Sequence, residues 1–416
     1  MDYTKINKNK LISYFQSGIK NPAERKIGME IEHLITNEIT KKTLSYYGAW
    51  GIENILGELA NKYKKTTYSQ GHLIGLWREK MAVTLEPGGQ FETSVGTCHS
   101  IGELKNEYKN AMAELTPILE KYGAKITTLG YHPKTKIEDV KIIPKKRYEF
   151  MAKYFKTTGS HGGNMMCGTA STQISLDYTS EGDFAKIFHI ANGLSPLFSL
   201  LTDNTPIFEG EIFNGNIPRT MVWNNVDANR CMVVKNGLNK TFAFGEYADY
   251  ILNNPCILTL NNLGEAEFTA DDTVAEIYKN QELNTKDIEH IISMFFPDVR
   301  LKTYVEIRMA DSLPIDYALS YAALLKGLFY SDDNKDYLYS LTSAITNEDV
   351  AKTKINMMEQ GFNTSFLNKP VAEFIDDLFI IAEKSLPSDE GIYLMPLWEL
   401  AKKQKTLAEI YKENLR

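Results

Sequence analysis

The stretch KIGMEIEHLI (residues 26–35) alternates apolar and polar side chains and therefore predicts a β-strand. Side chains two residues apart lie on the same face of a strand, so we expect Glu30 and Glu32 together on the polar face. Two neighbouring carboxylates are costly to bury unless they are paired or bound to a metal. Taken alone, this pattern is more typical of a solvent-exposed sheet face than of a functional site.

Two further segments place polar groups on one face of a predicted strand. In TLEPGGQFETS (residues 84–94), Glu86 precedes a Gly-Gly turn, and Glu92 follows the turn on the polar face of the next strand. In STQISLDY (residues 171–178), the alternation places Gln173 on the polar face. An ordinary hairpin explains the first of these segments about as well as a functional site does.

The most highly charged predicted strand is RLKTYVEIRMAD (residues 300–311). We expect one continuous strand over residues 300–310, with an apolar face opposite the charged one. A salt-bridged outer sheet face is the alternative to a functional site here. The polar side chains expected on one face are Lys302, Tyr304, Glu306 and Arg308.

Five carboxylates lie on or beside these strand faces, and if the strands share one sheet face, the carboxylates would repel one another strongly in a low-dielectric setting. Divalent cations would relieve that repulsion, and oxygen ligands suit Mg²⁺ or Mn²⁺ better than Zn²⁺. Carboxylate-bound Mg²⁺ beside Lys and Arg is typical of phosphoryl transfer. The chain has neither the G-x-x-x-x-G-K-[ST] nor the G-x-G-x-x-G motif, so neither a P-loop nor a dinucleotide fold is expected. The residues concerned are Glu30, Glu32, Glu86, Glu92 and Glu306, with Lys302, Arg308, Arg219 and Arg230 as cations if they converge there.

Length and composition indicate a large globular chain. Its 416 residues are 43% hydrophobic, which excludes a disordered protein. Length alone suggests two or three domains. Because segments that must meet in one site are spread along the chain, we instead expect a single large catalytic domain over residues 1–416, with a helical C-terminal part from about residue 315 to 416.

Charge and cysteine content exclude several classes of protein. A net charge of -7 argues against nucleic-acid binding, which needs a positive surface. Four cysteines without a C-x-x-C pair argue against a disulfide scaffold or a zinc ribbon. We expect no membrane-spanning helix, because no stretch approaches about 18 consecutive apolar residues. The polar N-terminus shows no apolar signal core, so a cytoplasmic location is expected.

These segments resemble the plant-type glutamate–cysteine ligase family, which includes the related ligases of ergothioneine biosynthesis. The similar stretches run in family order over nearly the whole chain from about residue 27. Residues 85–94 and the segment YVEIRMAD carry the most specific motifs. The remaining similar stretches are IGMEIEH, PKKRYEFM, MMCGTASTQISLD, PRTMVWNNVDANR, FFPDVRLKTYVEIRMAD and the tail TLAEIYKEN.

The resemblance implies the α+β fold of the glutamine synthetase-like superfamily. In that fold a curved antiparallel sheet forms a funnel-shaped active site, with helices packed outside. The implied metal ligands are Glu30, Glu32, Glu86, Glu92, Gln173 and Glu306. The implied catalytic residues are Arg308, Lys302 and Glu306, of which Lys302 and Arg308 would hold nucleotide phosphates. Arg219, Arg230 and Arg308 would bind the substrate, and a guanidinium suits a carboxylate because it can bind both oxygens.

The implied reaction is the ATP-dependent ligation of the γ-carboxylate of L-glutamate to the amine of L-cysteine through γ-glutamyl phosphate. ATP and two or three Mg²⁺ ions, with Mn²⁺ as an alternative, would be required. The product would enter the biosynthesis of glutathione or a related thiol. We expect the small-molecule substrates L-glutamate, L-cysteine and ATP, no nucleic acid or membrane partner, and a monomer or weak homodimer.

Two alternatives stay open. Gly168 stands where the plant enzymes carry an arginine on the substrate side, so a γ-glutamyl ligase with a different amine acceptor is one. The other is a catalytically inactive ligand-binding homologue. The retained carboxylates argue against the second alternative, because an inactive chain has no reason to keep several adjacent acidic groups.

Overall fold

A computed structural model of the chain describes residues 2–261 and 264–415. Residues 1, 262, 263 and 416 of the expected domain lie outside this part. Strands and helices alternate up to residue 311, and later elements are mainly helical. The strands are β1 (Ile27–Asn37), β2 (Lys65–Ser69), β3 (His72–Arg78), β4 (Met81–Leu85), β5 (Phe91–Cys98), β6 (Ala124–Thr127), β7 (Ser171–Leu176), β8 (Ile207–Phe208), β9 (Glu211–Ile212), β10 (Cys231–Met232), β11 (Pro255–Leu260), β12 (Ala266–Thr273), β13 (Phe296–Pro297), β14 (Val299–Leu301), β15 (Val305–Asp311), β16 (Ser365–Phe366) and β17 (Lys369–Pro370).

The α-helices occupy most of the remaining chain. They are α1 (Thr4–Gln16), α2 (Ile52–Leu59), α3 (Ile101–Lys121), α4 (Lys146–Thr158), α5 (Glu181–Gly193), α6 (Ser195–Leu201), α7 (Pro218–Asn224), α8 (Phe244–Leu252), α9 (Val274–Ile277), α10 (Thr285–Ile292), α11 (Ile315–Phe329), α12 (Asp332–Thr342), α13 (Asn347–Gln360), α14 (Val371–Ser385), α15 (Ser388–Gly391), α16 (Met395–Lys402) and α17 (Leu407–Asn414).

A large antiparallel sheet organises the described part of the chain. Its strands run in the order β14-β15-β7-β1-β5-β4-β3-β2, and β6 pairs with the end of β1. Every pairing within it is antiparallel. The predicted α+β class with a large antiparallel sheet is confirmed. The central position of β1 gives it neighbours on both edges.

The register of the sheet brings three of the predicted polar segments side by side. Glu30 on β1 pairs with Ser94 on β5 and with Gln173 on β7. Glu32 pairs with Glu92 on β5. The polar residues therefore lie on one face, as the alternation predicts. The opposite face carries the buried apolar residues of β1, and helices α3 and α11 contact strands of this sheet.

The charged segment 300–311 is not the single strand that the sequence predicts. It folds into a hairpin of β14 and β15, in which Leu301 pairs with Val305 across a three-residue turn. The reversal places Arg300 directly opposite Glu306, and Lys302 in the turn also reaches that carboxylate. The hairpin forms because a buried carboxylate needs partners of opposite charge close by, and a straight strand would carry Arg300 away from it.

Helices α5 and α6 meet at an angle of 57°, with Pro196 in the first turn of α6. Proline cannot continue a preceding helix without losing a hydrogen bond, which explains the bend. Within residues 2–261 and 264–415, no single helix is long and apolar enough to cross a membrane; this bent pair meets the criteria of length and composition only when taken together.

All four cysteines are free thiols, and all four are buried. Each side chain belongs to the apolar interior, with an exposed fraction of 6% or less. Burial raises the pKa of the Cys167 thiol to about 11. The four residues are Cys98, Cys167, Cys231 and Cys256.

Candidate active site

The polar face of the sheet forms one wall of a cavity of about 370 Å³. Side chains from β1, β5, β7 and β15 reach it from the sheet, and the turn after β4 closes one side. Arg300 on β14 and Lys302 in the turn after it also reach the cavity. The remaining cationic side chains come from α7 and from the start of α4, including the residue just before it. The charged and amide residues along the cavity are Glu30, Glu32, Glu86, Glu92, Gln90, Gln173, Lys145, Arg147, Arg219, Arg300, Lys302 and Arg308.

Four carboxylates line the cavity without a cationic partner. Glu32 accepts hydrogen bonds from the Ser171 N–H and Oγ, both at 2.8 Å, and from Gln173 Nε2 at 3.1 Å. Glu92 accepts one from Thr84 Oγ1 at 2.6 Å. No ion pair joins any of the four to a Lys, Arg or His of the described chain. We call this set the carboxylate row: Glu30, Glu32, Glu86 and Glu92.

Burial and mutual repulsion disfavour the ionised form of three members of the carboxylate row, Glu30, Glu32 and Glu92. Burial, with repulsion from Glu92, raises the pKa of Glu30 to about 7. Burial, with repulsion from Glu86, raises the pKa of Glu32 to about 8. The pKa of Glu92 is raised for the same two reasons. A bound divalent cation would replace these protons and lower the repulsion.

The oxygen atoms of the carboxylate row are the type of ligand that Mg²⁺ prefers, but they do not enclose an ion by themselves. No group of three or more His, Cys, Asp or Glu in the part of the chain that the structure describes is arranged to hold a metal ion. Mg²⁺ is commonly bound by one or two carboxylates and completed by water and substrate phosphates. The carboxylate row therefore fits a cation that arrives with a phosphate ligand.

The turn between β4 and β5 fixes the position of Glu86. The Gly89 N–H donates to the Glu86 carbonyl at 2.8 Å, and the Gly88 N–H donates to Gln90 Oε1 at 2.8 Å. Gly89 has a φ of +84°, which favours glycine. A Cβ on Gly88 would lie 2.6 Å from the carbonyl oxygen of Cys167. The predicted Gly-Gly turn is therefore required by both conformation and space.

Glu306 is fully buried and holds three cations. Its oxygens accept from Arg300 Nη2 at 2.6 Å, Lys302 Nζ at 2.9 Å and Arg308 Nη1 at 2.7 Å. Burial alone would raise the pKa of Glu306, but the three cations, led by Arg300, hold it well below its usual range. We call these four residues the Glu306 cluster. Lys302 and Arg308 also line the cavity, as the predicted phosphate-binding pair requires.

The structure changes how Gln173 and Glu306 relate to a metal. Gln173 Oε1 accepts from Arg308 while its Nε2 donates to Glu32, so it bridges the carboxylate row and the Glu306 cluster. Both oxygens of Glu306 are taken up by cations. Every side-chain oxygen of the two residues thus already accepts from a cation. Both assignments as metal ligands stay predictions, and the set proposed below is limited to the carboxylate row.

The two predicted clamp arginines have different surroundings. Arg219 on α7 lines the cavity, and its Nη1 is buried without a hydrogen-bond partner in the described chain. Arg230 is completely buried in an ion pair with Asp227 at 2.6 Å, and it also donates to the Met294 and Pro255 carbonyls. Arg230 is therefore a structural residue outside the cavity, and its assignment as a substrate clamp is corrected. The sequence signal for this ion pair is Asp227, three residues before Arg230.

Three cationic residues of the cavity are absent from the prediction. Arg300 lies opposite Glu306 because of the β14–β15 reversal, which the sequence pattern does not indicate. Lys145 and Arg147 lie at the start of α4, in a stretch whose resemblance assigned no role to them. The only sequence signal for these two residues is the run of basic residues that follows Pro144.

The chain is similar to one protein family over most of its length. A family model described as glutamate-cysteine ligase family 2 (GCS2) matches residues 26–365. The matched range contains every strand of the large sheet and every residue lining the cavity.

Named relatives agree with that match. Glutamate–cysteine ligase A, chloroplastic, of Oryza sativa subsp. indica is 29% identical over 389 residues, covering 92% of this chain and 78% of that protein. Glutamate–cysteine ligase, chloroplastic, of Arabidopsis thaliana is 28% identical over 389 residues, covering 92% and 74%. A crystal structure of the complex between the prokaryotic ubiquitin-like protein Pup and its ligase PafA covers 94% of this chain and 66% of that chain, at 12% identity. Its TM-score of 0.41 is too low to carry an argument.

Proposed function

This chain belongs to glutamate–cysteine ligase family 2, and from that premise we propose that it joins the γ-carboxylate of L-glutamate to the amine of L-cysteine at the expense of ATP. The observation that carries the proposal is the cavity itself. It brings an unpaired carboxylate row and several cations to one sheet face, inside the range that matches the family. Such a pocket suits a ligand that contains both phosphates and divalent cations.

The reaction needs no nucleophile from the protein. The γ-carboxylate of glutamate attacks the terminal phosphorus of ATP, which forms γ-glutamyl phosphate and releases ADP. The cysteine amine then attacks the acyl carbon, and the product amide forms as phosphate leaves and the amine loses a proton. Phosphorylation is required because a free carboxylate is a poor acyl donor.

The positively and negatively charged side chains of the cavity have different roles. Lys302 and Arg308 face the transferred phosphoryl group and balance its charge. Arg219, with its unpartnered Nη1, binds a carboxylate of the amino acid. The carboxylate row holds divalent cations, which supply charge neutralisation to the phosphates. We propose two or three Mg²⁺ ions, with Mn²⁺ as an alternative.

The proposal also covers the pathway, the location and the assembly of the protein. The product enters the biosynthesis of glutathione or a related thiol. The protein works in the cytoplasm as a monomer or weak homodimer. The whole chain acts as one catalytic domain, because residues lining the cavity come from positions 30 to 308.

The test measures ADP release by the purified chain with ATP, glutamate, cysteine and Mg²⁺. We expect release only when all four are present, with γ-glutamylcysteine formed in equal amount. Omission of each component in turn is the control. Folded protein that releases no ADP from the complete mixture would contradict the proposal and favour an inactive ligand-binding homologue.

The amine acceptor is tested in the same assay by replacing cysteine with other amines. Gly168 leaves no room for a side chain, since an added Cβ would lie 2.3 Å from the Tyr131 ring. The pocket for the amine acceptor therefore differs from a pocket that carries an arginine at this position. We expect cysteine to give the highest kcat/KM, and a clear preference for a non-thiol amine would assign the chain to another γ-glutamyl ligase activity.

A further inference from the structure

The residue that precedes helix α7 has a strained backbone. Ile217 has a φ of +45° and a ψ of +52°, which is the left-handed region. A β-branched residue rarely adopts this conformation, and a residue before a proline, here Pro218, is ordinarily extended. Strain of this kind persists only where the surrounding structure holds it, and it is most frequent at functional sites.

A buried carboxylate holds this strained residue. Asp203 Oδ2 accepts a hydrogen bond from the Ile217 N–H at 3.1 Å, and Asp203 Oδ1 accepts from the Thr205 N–H at 3.3 Å. Asp203 is only 1% exposed and lies outside the active-site cavity. Burial, with repulsion from the carboxylate of Asp311, raises the pKa of Asp203 to about 8. Two buried carboxylates that repel each other are costly, so a role beyond packing is indicated.

The segment that contains Asp203 is fixed to strand β15. Asp311, the last residue of β15, accepts hydrogen bonds at Oδ2 from the Asn204 N–H and from Thr205 Oγ1, both at 2.8 Å. Helix α7 contacts the same strand, because Arg219 Nη2 donates to the Arg308 carbonyl at 3.3 Å. The start of α7 is therefore tied to β15 twice, once through this segment and once through Arg219.

We propose that Asp203 is a positioning residue, which holds Ile217 in the left-handed conformation so that Arg219 reaches the cavity. This inference rests on the proposed function, in which Arg219 binds an amino-acid carboxylate, and adds to it a residue outside the cavity. Arg219 is the second residue of α7, so a change of backbone torsion at Ile217 moves its guanidinium. Without the hydrogen bond to Asp203, Ile217 relaxes toward the extended conformation that ordinarily precedes a proline.

The test removes the hydrogen bond to Ile217 and keeps the local one. In Asp203→Ser the hydroxyl can still accept from the Thr205 N–H two residues later, but the shorter side chain does not reach Ile217. We expect the KM for the amino acid that Arg219 binds to rise about 10-fold, as for a misplaced charge-assisted hydrogen bond, with kcat and the KM for ATP unchanged. Arg219→Gln identifies that amino acid by the KM that it raises.

Asp177→Ser is the matched control. Asp177 is also a buried aspartate outside the cavity, and its Oδ2 accepts from the Lys26 N–H at 2.8 Å, directly before β1. We expect this control to lose stability and to keep the wild-type KM for every substrate. If Asp203→Ser likewise loses stability with every KM unchanged, Asp203 is only structural and the inference is overturned.

Two double variants test the strain itself. Glycine adopts the left-handed region without steric cost, whereas alanine keeps a Cβ. Asp203→Ser should therefore raise the KM less when combined with Ile217→Gly than when combined with Ile217→Ala, and equal effects would overturn the inference. If Asp203→Ser does not fold alone, its combination with Ile217→Gly decides. The KM of Ile217→Gly alone would support the positioning role, and a KM as high as that of Arg219→Gln would overturn it.

Binding without turnover keeps the two proposals distinguishable. Equilibrium binding of glutamate and of cysteine measures the role of Arg219 without ligation. A chain that forms no γ-glutamylcysteine, but whose Asp203→Ser variant binds one amino acid more weakly, would contradict only the proposed function. A chain that ligates, and whose Asp203→Ser variant keeps the wild-type KM and Kd for both amino acids, would contradict only the positioning role.

Discussion

Glu306 pairs with three of the six cations that line the cavity. It is fully buried and faces three cations, so its removal would leave Arg300, Lys302 and Arg308 without their shared counter-charge. Breaking a buried ion pair from one side typically costs about 3–5 kcal/mol. A Glu306→Gln variant would therefore lose stability as well as turnover. The carboxylate row provides cleaner substitutions, because its members pair with no cation in the described residues.

Glu86→Gln is expected to abolish ligation and leave the fold intact. The side chain of Glu86 makes no ion pair within the described residues and is half-buried at the cavity wall. Loss of its charge removes a metal ligand from the carboxylate row. The measurement is kcat for ADP release, together with the melting temperature.

Glu79→Gln controls for the loss of one acidic charge, because Glu79 is exposed in the turn between β3 and β4. We expect wild-type kcat for this control. Wild-type kcat in Glu86→Gln would remove Glu86 from the site.

His33 should make stability pH-dependent below neutrality. Its Nδ1–H donates to the Phe91 carbonyl and its Nε2 accepts from the Tyr108 hydroxyl, both at 2.9 Å. Burial lowers the pKa of His33 to about 4, so the unfolded chain takes up this proton at higher pH than the folded chain. The stabilisation is complete above about pH 6.5 and is lost as the pH falls toward 4.

Urea denaturation of the wild type and of His33→Gln measures this effect. Between pH 7 and pH 5, the free energy of unfolding of the wild type should fall by about 2 kcal/mol more than that of the variant. Other titrating groups contribute equally to both proteins and cancel in the difference. Parallel pH profiles would show that His33 does not titrate as described.

At the residue scale, the sequence predicts the carboxylate row well and the arginines poorly. Glu30 and Glu32 follow from strand alternation, which is a local property. Whether an arginine reaches the cavity depends on partners elsewhere in the chain. Arg219 Nη1 has no hydrogen-bond partner among residues 2–261 and 264–415, whereas Arg230 is held by Asp227 and by two carbonyls. No periodic pattern distinguishes these two cases.

At the scale of the elements, the sequence pattern predicts one strand over residues 300–310 and does not indicate the β14–β15 hairpin. Its turn, Lys302-Thr303-Tyr304, has no Gly, Pro, Asn or Asp, which are the usual signals of a reversal. Charge pairing within the hairpin, of Arg300 and Lys302 with Glu306, holds the turn. By contrast, the turn between β4 and β5 carries two glycines and was predicted.

Substitution of Gly88 should disturb that turn. In Gly88→Ala the added Cβ would lie 2.6 Å from the Cys167 carbonyl oxygen, which is backbone and cannot move away easily. We expect a loss of about 1–3 kcal/mol in the free energy of unfolding and a reduced kcat, because Glu86 shifts with the turn.

Gly57→Ala is the matched control for the Gly88 substitution. Gly57 lies inside α2 with no atom within 4 Å of the added Cβ, so a gain of about 0.5–1 kcal/mol is expected. The two variants differ only in the space around the new methyl group. Equal stability of Gly88→Ala and the wild type would show that the close approach to Cys167 does not constrain the turn.

At the scale of the whole molecule, the sheet collects charges that are far apart in sequence. The carboxylate row comes from β1, from β5 and from the turn before β5, with β1 in the centre. Long-range pairing, which local patterns do not specify, decides this arrangement. The resemblance to a known family implies a curved antiparallel sheet and a shared site, and the strand order is known only from the structure.

Mg²⁺ should stabilise the protein, and more so at higher pH. Because the pKa of Glu30 is raised to about 7 and that of Glu32 to about 8, their contribution to stability is fully present below the ordinary pKa of 4.5. In metal-free protein it is lost as the pH rises from there to about 7 and 8. Mg²⁺ binds the deprotonated carboxylates and reverses this loss.

Thermal melting with excess Mg²⁺ or with EDTA, from pH 5 upward, measures this difference. The increase in melting temperature due to Mg²⁺ should grow between about pH 6 and pH 8. The Glu30→Gln, Glu32→Gln double variant should show a smaller, flatter increase. An increase that does not vary with pH in the wild type would contradict the assignment of these carboxylates as ligands.

The burial of all four thiols bears on the chemistry of the proposed substrate. Cystine, the disulfide of cysteine, exchanges with an exposed thiolate: a mixed disulfide forms and one cysteine thiolate leaves. A protein that binds cysteine meets cystine wherever part of the cysteine has been oxidised. Because its own sulfurs lie in the interior and, in the case of Cys167, stay protonated, we expect the protein to resist modification by this oxidised form of its substrate.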